Sequence, residues 1–156
     1  MPTLYAAIGP AGSRKSSLIR SLTGIGNRHA DFDRNILDIQ LATGAVAQVY
    51  CCSPALQEIA IDPATFIAAV QQQGSRATDV AIALRRAPAQ GCPGCIDYLQ
   101  AWLNVGWSIG GIVLLGAGHP VAQHYPGTPQ IQRFPNSLQT PTNEMAAQVR
   151  NAWGWR

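Results

Sequence analysis

The sequence predicts an α/β protein of three layers, a mainly parallel five-stranded sheet with helices on both faces. Three observations carry this. Short apolar runs alternate with segments whose apolar residues recur at helical spacing, the order that covers a parallel sheet on both sides. The first run ends in a glycine-rich turn, "GPAGSRKS", that leads directly into a helical pattern. With 156 residues, 47% of them apolar, the chain supplies one core of ordinary size, so residues 1–156 read as a single domain.

The elements follow in order. Residues 3–8, "TLYAAI", form the first strand, stopped by Gly9-Pro10. "KSSLIRSLTG" continues as a helix with Leu18, Ile19 and Leu22 at helical spacing and Gly24 as its terminator. Residues 24–35 are polar and turn-rich and read as an exposed loop. "ILDIQLATG" and "VAQVYCCSP" are two strands around a turn at Gly44, and pairing as a hairpin would make the second strand antiparallel to the third. "DPATFIAAVQQQG" is a helix capped by Asp62, with Pro63 at its first position and Gly74 at its end. "DVAIALRR" is the fourth strand, "CIDYLQAWLNVGW" the next helix and "IGGIVLLGAG" the fifth strand. Residues 119–142 carry five prolines and no periodicity, which predicts a long surface loop of functional or mobile character. "TNEMAAQVRNAW" closes the chain as a helix with Thr142 as its cap.

Composition narrows the function classes. The net charge of +3 is mildly basic, but the basic residues are scattered, so no stripe suited to a nucleic-acid backbone appears and nucleic-acid binding is unsupported. No charged and apolar leader precedes the first strand and no apolar run is long enough to span a bilayer, so a soluble cytoplasmic protein without membrane contact is expected. Of the 11 basic residues, the only lysine is Lys15. A phosphate site wants such a compact ammonium, able to reach β and γ oxygens.

Lys15 lies in a pattern. Gly9-Pro10-Ala11-Gly12-Ser13-Arg14-Lys15-Ser16 departs from G-x-x-x-x-G-K-[ST] only where Arg14 replaces the second glycine. In such turns, between a strand and a helix, backbone N–H groups and the helix N-terminus surround phosphates. On these residues the chain resembles the P-loop NTPase superfamily, and "KSSLIRSLTG" resembles the first helix of small GTPases. The motif covers residues 4–24; beyond them the resemblance rests on element order. It implies that Lys15 contacts the β and γ phosphates, that Ser16 binds Mg²⁺ brought with ATP or GTP, and that the backbone from Gly9 to Ser17, with Gly12, Ser13 and Arg14 between, wraps the phosphates. The other GTPase motifs are degraded. "YCCSPAL" puts Cys52 where the metal-holding aspartate would sit and Ala55 at the γ-phosphate-sensing glycine, and "LRRAP" stands where a guanine reader would be, so guanine specificity is not expected. On a kinase-like reading, Arg85 and Arg86 leave the fourth strand toward the same sheet edge and clamp the transferring phosphate. Asp31, Asp33 and Asp38 are then the acids available to position an acceptor. Arg14 allows two outcomes: position 14 needs glycine-like backbone freedom and the loop is distorted, or the side chain points outward or folds over a phosphate.

The remaining residues of interest weigh less. "GCPGC" has dithiol spacing, but Cys92 and Cys95 lie after a fourth strand rather than in a first β-α unit. Four cysteines suit tetrahedral Zn²⁺, yet Cys51 and Cys52 are adjacent in a strand and point to opposite faces, which weighs against zinc. His29 and His124 lie in loops and read as solvated; His119 follows the fifth strand at the carboxyl edge, where ligands bind in such sheets. Trp102, Trp107, Trp153 and Trp155 read as packing or a partner interface rather than base stacking, and the terminal "WGWR" is also a candidate exposed aromatic patch for an oligomer. Three functions stay open, of which the first two are a nucleoside-triphosphate-dependent hydrolase or small-molecule kinase, and a non-catalytic relative serving as an interaction or regulatory module. A thiol redox or zinc protein is the third.

Overall fold

The computed structural model describes residues 2–25, 35–74, 77–117, 125–127 and 129–156. The elements are β1 (Thr3–Gly9), α1 (Lys15–Thr23), β2 (Ile36–Gln40), β3 (Val46–Ala55), a 3-10 turn (Leu56–Ile59), α2 (Pro63–Gln73), β4 (Asp79–Arg85), α3 (Cys95–Asn104), β5 (Ser108–Leu115), β6 (Gln130–Phe134) and α4 (Thr142–Trp153). They build a six-stranded sheet in the order β2-β3-β4-β1-β5-β6. β2 runs antiparallel to β3, as the hairpin reading expects, and every other pair is parallel.

Strand alternation sorts the side chains into two layers. Leu4, Ile8, Tyr50, Ile82 and Ile112 face α2 and α3, where Trp102 and Leu99 fill the space. Ala7, Val49, Ala81, Ala83 and Val113 face α1 and α4, where Leu18, Ile19, Leu22, Met145 and Val149 pack. Each large aliphatic side chain so buried contributes about 1.5–3 kcal/mol. The helices are signalled locally: Asp62 accepts the Thr65 N–H at 2.7 Å and caps α2, with Pro63 in its first turn.

Three expectations need correction. The sheet has six strands, not five. The sixth, β6, lies inside 119–142: "QIQRF" is an edge strand with a single neighbour, half exposed, and therefore lacks the apolar run that marks a buried strand. Thr142 is the first helical residue of α4 rather than its cap, because the Pro141 carbonyl already accepts the Glu144 and Met145 N–H groups at 3.1 and 3.2 Å. The strands flanking β1 are β4 and β5, so β3 sits one strand further out.

The aromatic end of the chain is interior, not a surface patch. Trp153 and Trp155 are buried and meet edge to face at 5.2 Å, with Tyr5 of β1 4.7 Å from Trp153. Gly111 makes room for this, since a Cβ there would lie 2.4 Å from Trp153 Nε1. Beyond α4 the chain crosses to the β2 end, where Ala42 N–H donates to Gly154 O at 2.8 Å and Arg156 N–H to Gln40 O at 2.7 Å. Among the described residues no helix is long and apolar enough to cross a membrane.

Candidate functional site

β1 runs through the sheet interior and ends at Gly9, so the turn that follows emerges at the carboxyl edge of the parallel strands. Gly9 has no room for a side chain: a Cβ would stand 2.3 Å from Ser13 Oγ and 2.9 Å from the Leu115 carbonyl oxygen. The turn closes with Ser13 N–H on Pro10 O at 3.3 Å, and Gly12 takes φ +74° with open space around it. Arg14 is left-handed too, at φ 71° and ψ 20°, and occupies the cap position of α1 without a side-chain cap. Position 14 therefore does use the conformation that glycine favours, and the arginine adopts it at a cost of about 1–2 kcal/mol. Its side chain reaches outward, donating through Nη1 to Thr140 O at 3.3 Å.

The first turn of α1 has N–H groups without intrahelical acceptors, and these face the turn along with the positive end of the helix. Lys15 is 3% exposed, and its ammonium donates to Pro10 O at 3.2 Å and to Glu58 Oε1 at 3.0 Å. Gly12, Arg14, Lys15, Ser16, Ser17 and Glu58 line one cavity of about 270 Å³. Ser17 Oγ accepts from Arg20 at 3.2 Å within α1. On the other side of the turn, residues 10–13 border a second cavity of about 260 Å³ with Gly116, Ala117 and residues 135–139. Ser13 lines it, and its buried Oγ has no hydrogen-bond partner among the described residues.

Glu58 is the functional side chain that sequence reasoning missed. It comes from the 3-10 turn after β3, fixed by its neighbour Gln57, which is fully buried. The Gln57 amide accepts from Arg85 N–H at 3.0 Å and donates to Arg85 O at 3.0 Å and Pro93 O at 3.2 Å. Glu58 belongs to no motif, but it was findable: an acid shortly after a buried parallel strand lands at the carboxyl edge, beside the turn that follows β1. Asp38, one of the acids named for this role, instead points out from β2 at the far edge of the sheet. Asp31 and Asp33 lie outside the described residues, as do His29, His119 and His124.

Arg85 pairs in register with Gly9, so it does reach the edge where the turn emerges. Neither Arg85 nor Arg86 borders the cavity around Lys15. Cys52 and Ala55 are buried at the end of β3, across a break in the β3–β4 register. Cys51 and Cys52 project into opposite layers, as adjacent strand residues should. Burial pushes both thiols up to about 12 and Cys95 up to about 11, the last opposed by hydrogen bonds from the start of α3 and by the nearby Arg86 charge. All four cysteines are free and buried. Among the described residues, no three His, Cys, Asp or Glu side chains cluster as a metal site.

The arrangement presents a fixed, desolvated ammonium, an open helix start and serine hydroxyls around one concavity at the carboxyl edge of the sheet, chemistry suited to an anion with several oxygens. No protein-family model matches the chain, and no curated protein or solved structure shows significant similarity to it.

Proposed function

We propose that the turn from Gly9 to Ser17 binds the phosphates of a nucleoside triphosphate, ATP or GTP, as a P-loop-type cradle. The observation that carries the reading is the Lys15 ammonium, buried at the start of an uncapped helix and held inside the turn. On this reading Lys15 neutralises charge on the β and γ oxygens, while backbone N–H groups from Gly12 to Ser17 surround the chain of phosphates. Mg²⁺, when bound, offsets phosphate charge and orients the terminal group. Ser16 would hold it, and a cavity lined by serine hydroxyls and a carboxylate suits an ion that keeps several waters and takes few protein ligands. Arg85, level with Gly9, and Arg86 beyond it would steady the terminal phosphate in a hydrolase or kinase.

A second reading, a non-catalytic interaction or regulatory module, is favoured by the end of β3. Cys52 and Ala55 are buried there and offer neither an acid nor an open glycine. Calorimetry with ATP and GTP, each with and without Mg²⁺, on the wild type and Lys15→Ala tests the first reading. Binding that depends on Lys15 supports it, and no binding by the wild type overturns it. Release of phosphate by a nucleotide-binding wild type then separates an enzyme from a module.

A further inference from the structure

The two partners of the Lys15–Glu58 pair are not equivalent. The lysine side chain is 4% exposed and the glutamate side chain 34%. The ammonium is fixed, with the neutral Pro10 carbonyl as its one further acceptor among the described residues. The carboxylate borders solvent on a four-residue turn and can swing into water with little desolvation cost. A buried ammonium left alone is strongly disfavoured, so Glu58 leaves only as another anion arrives.

We propose that Glu58 sets an affinity threshold for the cradle: its carboxylate is a resident counter-ion on Lys15 that single-phosphate anions at millimolar concentration fail to displace and that polyphosphates replace. The proposal rests on the phosphate-cradle reading and adds what the cradle selects. A tethered carboxylate competes at an effective concentration in the millimolar range or above. Inorganic phosphate offers one group against that competitor. Pyrophosphate and longer chains place one group on Lys15 and a second against the N–H groups of the α1 start, so they gain contacts that a lone phosphate cannot span. Displacement also lowers the affinity of every ligand by the fraction of molecules in which the pair is open.

Calorimetry with inorganic phosphate and with pyrophosphate, on the wild type, Glu58→Gln and Glu58→Ala, tests it. The wild type should bind pyrophosphate and reject phosphate at millimolar concentration. Both variants should bind pyrophosphate about tenfold tighter or more, and both should gain phosphate affinity by the same factor, enough to bring phosphate binding into the measurable range. Unchanged affinity for both ligands in both folded variants overturns the proposal. A second measurement needs no variant: the carboxylate ¹³C resonance of Glu58 in the wild type should move when pyrophosphate saturates the protein, and a resonance that stays put with pyrophosphate bound overturns it equally. Pyrophosphate binding lost in Lys15→Ala upholds the cradle whatever Glu58 does, whereas no pyrophosphate binding by any of these proteins defeats the cradle and the counter-ion together.

Discussion

Arg14 shows what a single position reveals and conceals. The pattern from Gly9 to Ser16 located a sharp turn before a helix, and the left-handed backbone at position 14 follows from that turn. The direction of the side chain did not, because it depends on Thr140, an acceptor 126 residues away. Glycine at this position removes the left-handed cost but adds backbone freedom to the unfolded chain. Arg14→Gly should therefore leave stability unchanged or raise it by up to about 1 kcal/mol, while Arg14→Val, β-branched at positive φ, should lower it by about 1–2 kcal/mol. Urea unfolding of the two variants reads the difference, and a valine variant as stable as the glycine one would contradict the assigned backbone. Gly9→Ala is the companion case. Its new Cβ would press on Leu115 O from 2.9 Å, a backbone atom that yields poorly, so a loss of about 1–3 kcal/mol is expected in the same assay. Lys15 was legible from its pattern; Glu58 has no motif, and only its place shortly after a buried strand signals it, because a 3-10 turn carries it to the site.

At the scale of elements, legibility followed burial and punctuation. β1, β4 and β5 announced themselves as apolar runs, and α2 by Asp62, Pro63 and Gly74. β6 did not, having only Ile131 and Phe134 as large apolar residues and solvent along one edge. The order of the parallel strands was equally silent, since a crossover helix states that the next strand is parallel but not which neighbours it slips between. The seam between β3 and β4 depends on Gln57, whose side chain satisfies both backbone groups of Arg85. Gln57→Ala orphans those groups and the Pro93 carbonyl, so a loss of about 2–3 kcal/mol should appear in urea unfolding. The Arg85 amide should also exchange with solvent faster than its neighbours in β4, and unaltered exchange there would show that the seam holds without Gln57.

Across the whole molecule the buried thiols bind stability to pH. Folding holds Cys51 and Cys52 at about 12 and Cys95 at about 11, so the folded protein keeps protons that the unfolded chain releases near pH 9. Their contribution is complete below about pH 9 and is lost as pH rises toward 12. The urea midpoint should accordingly fall between pH 8 and pH 10.5, and Cys51→Ala should flatten that slope; a slope identical in the variant would assign it to other groups. The C-terminal crossing is the other global tie. Deleting residues 154–156 removes Trp155 from the core and two backbone bonds to the β2 end, which should cost about 2–4 kcal/mol by the same unfolding assay. The sheet order also governs time. Both neighbours of β1 are remote: Thr3 aligns with Asp79 on one side and Ser108 on the other. On the ribosome the strand that bears the Gly9–Ser17 turn is made well before either of its neighbours. It must wait, bare-edged and apolar, for β4 and then β5 to emerge, so this strand is in need of shelter while its partners are still being made.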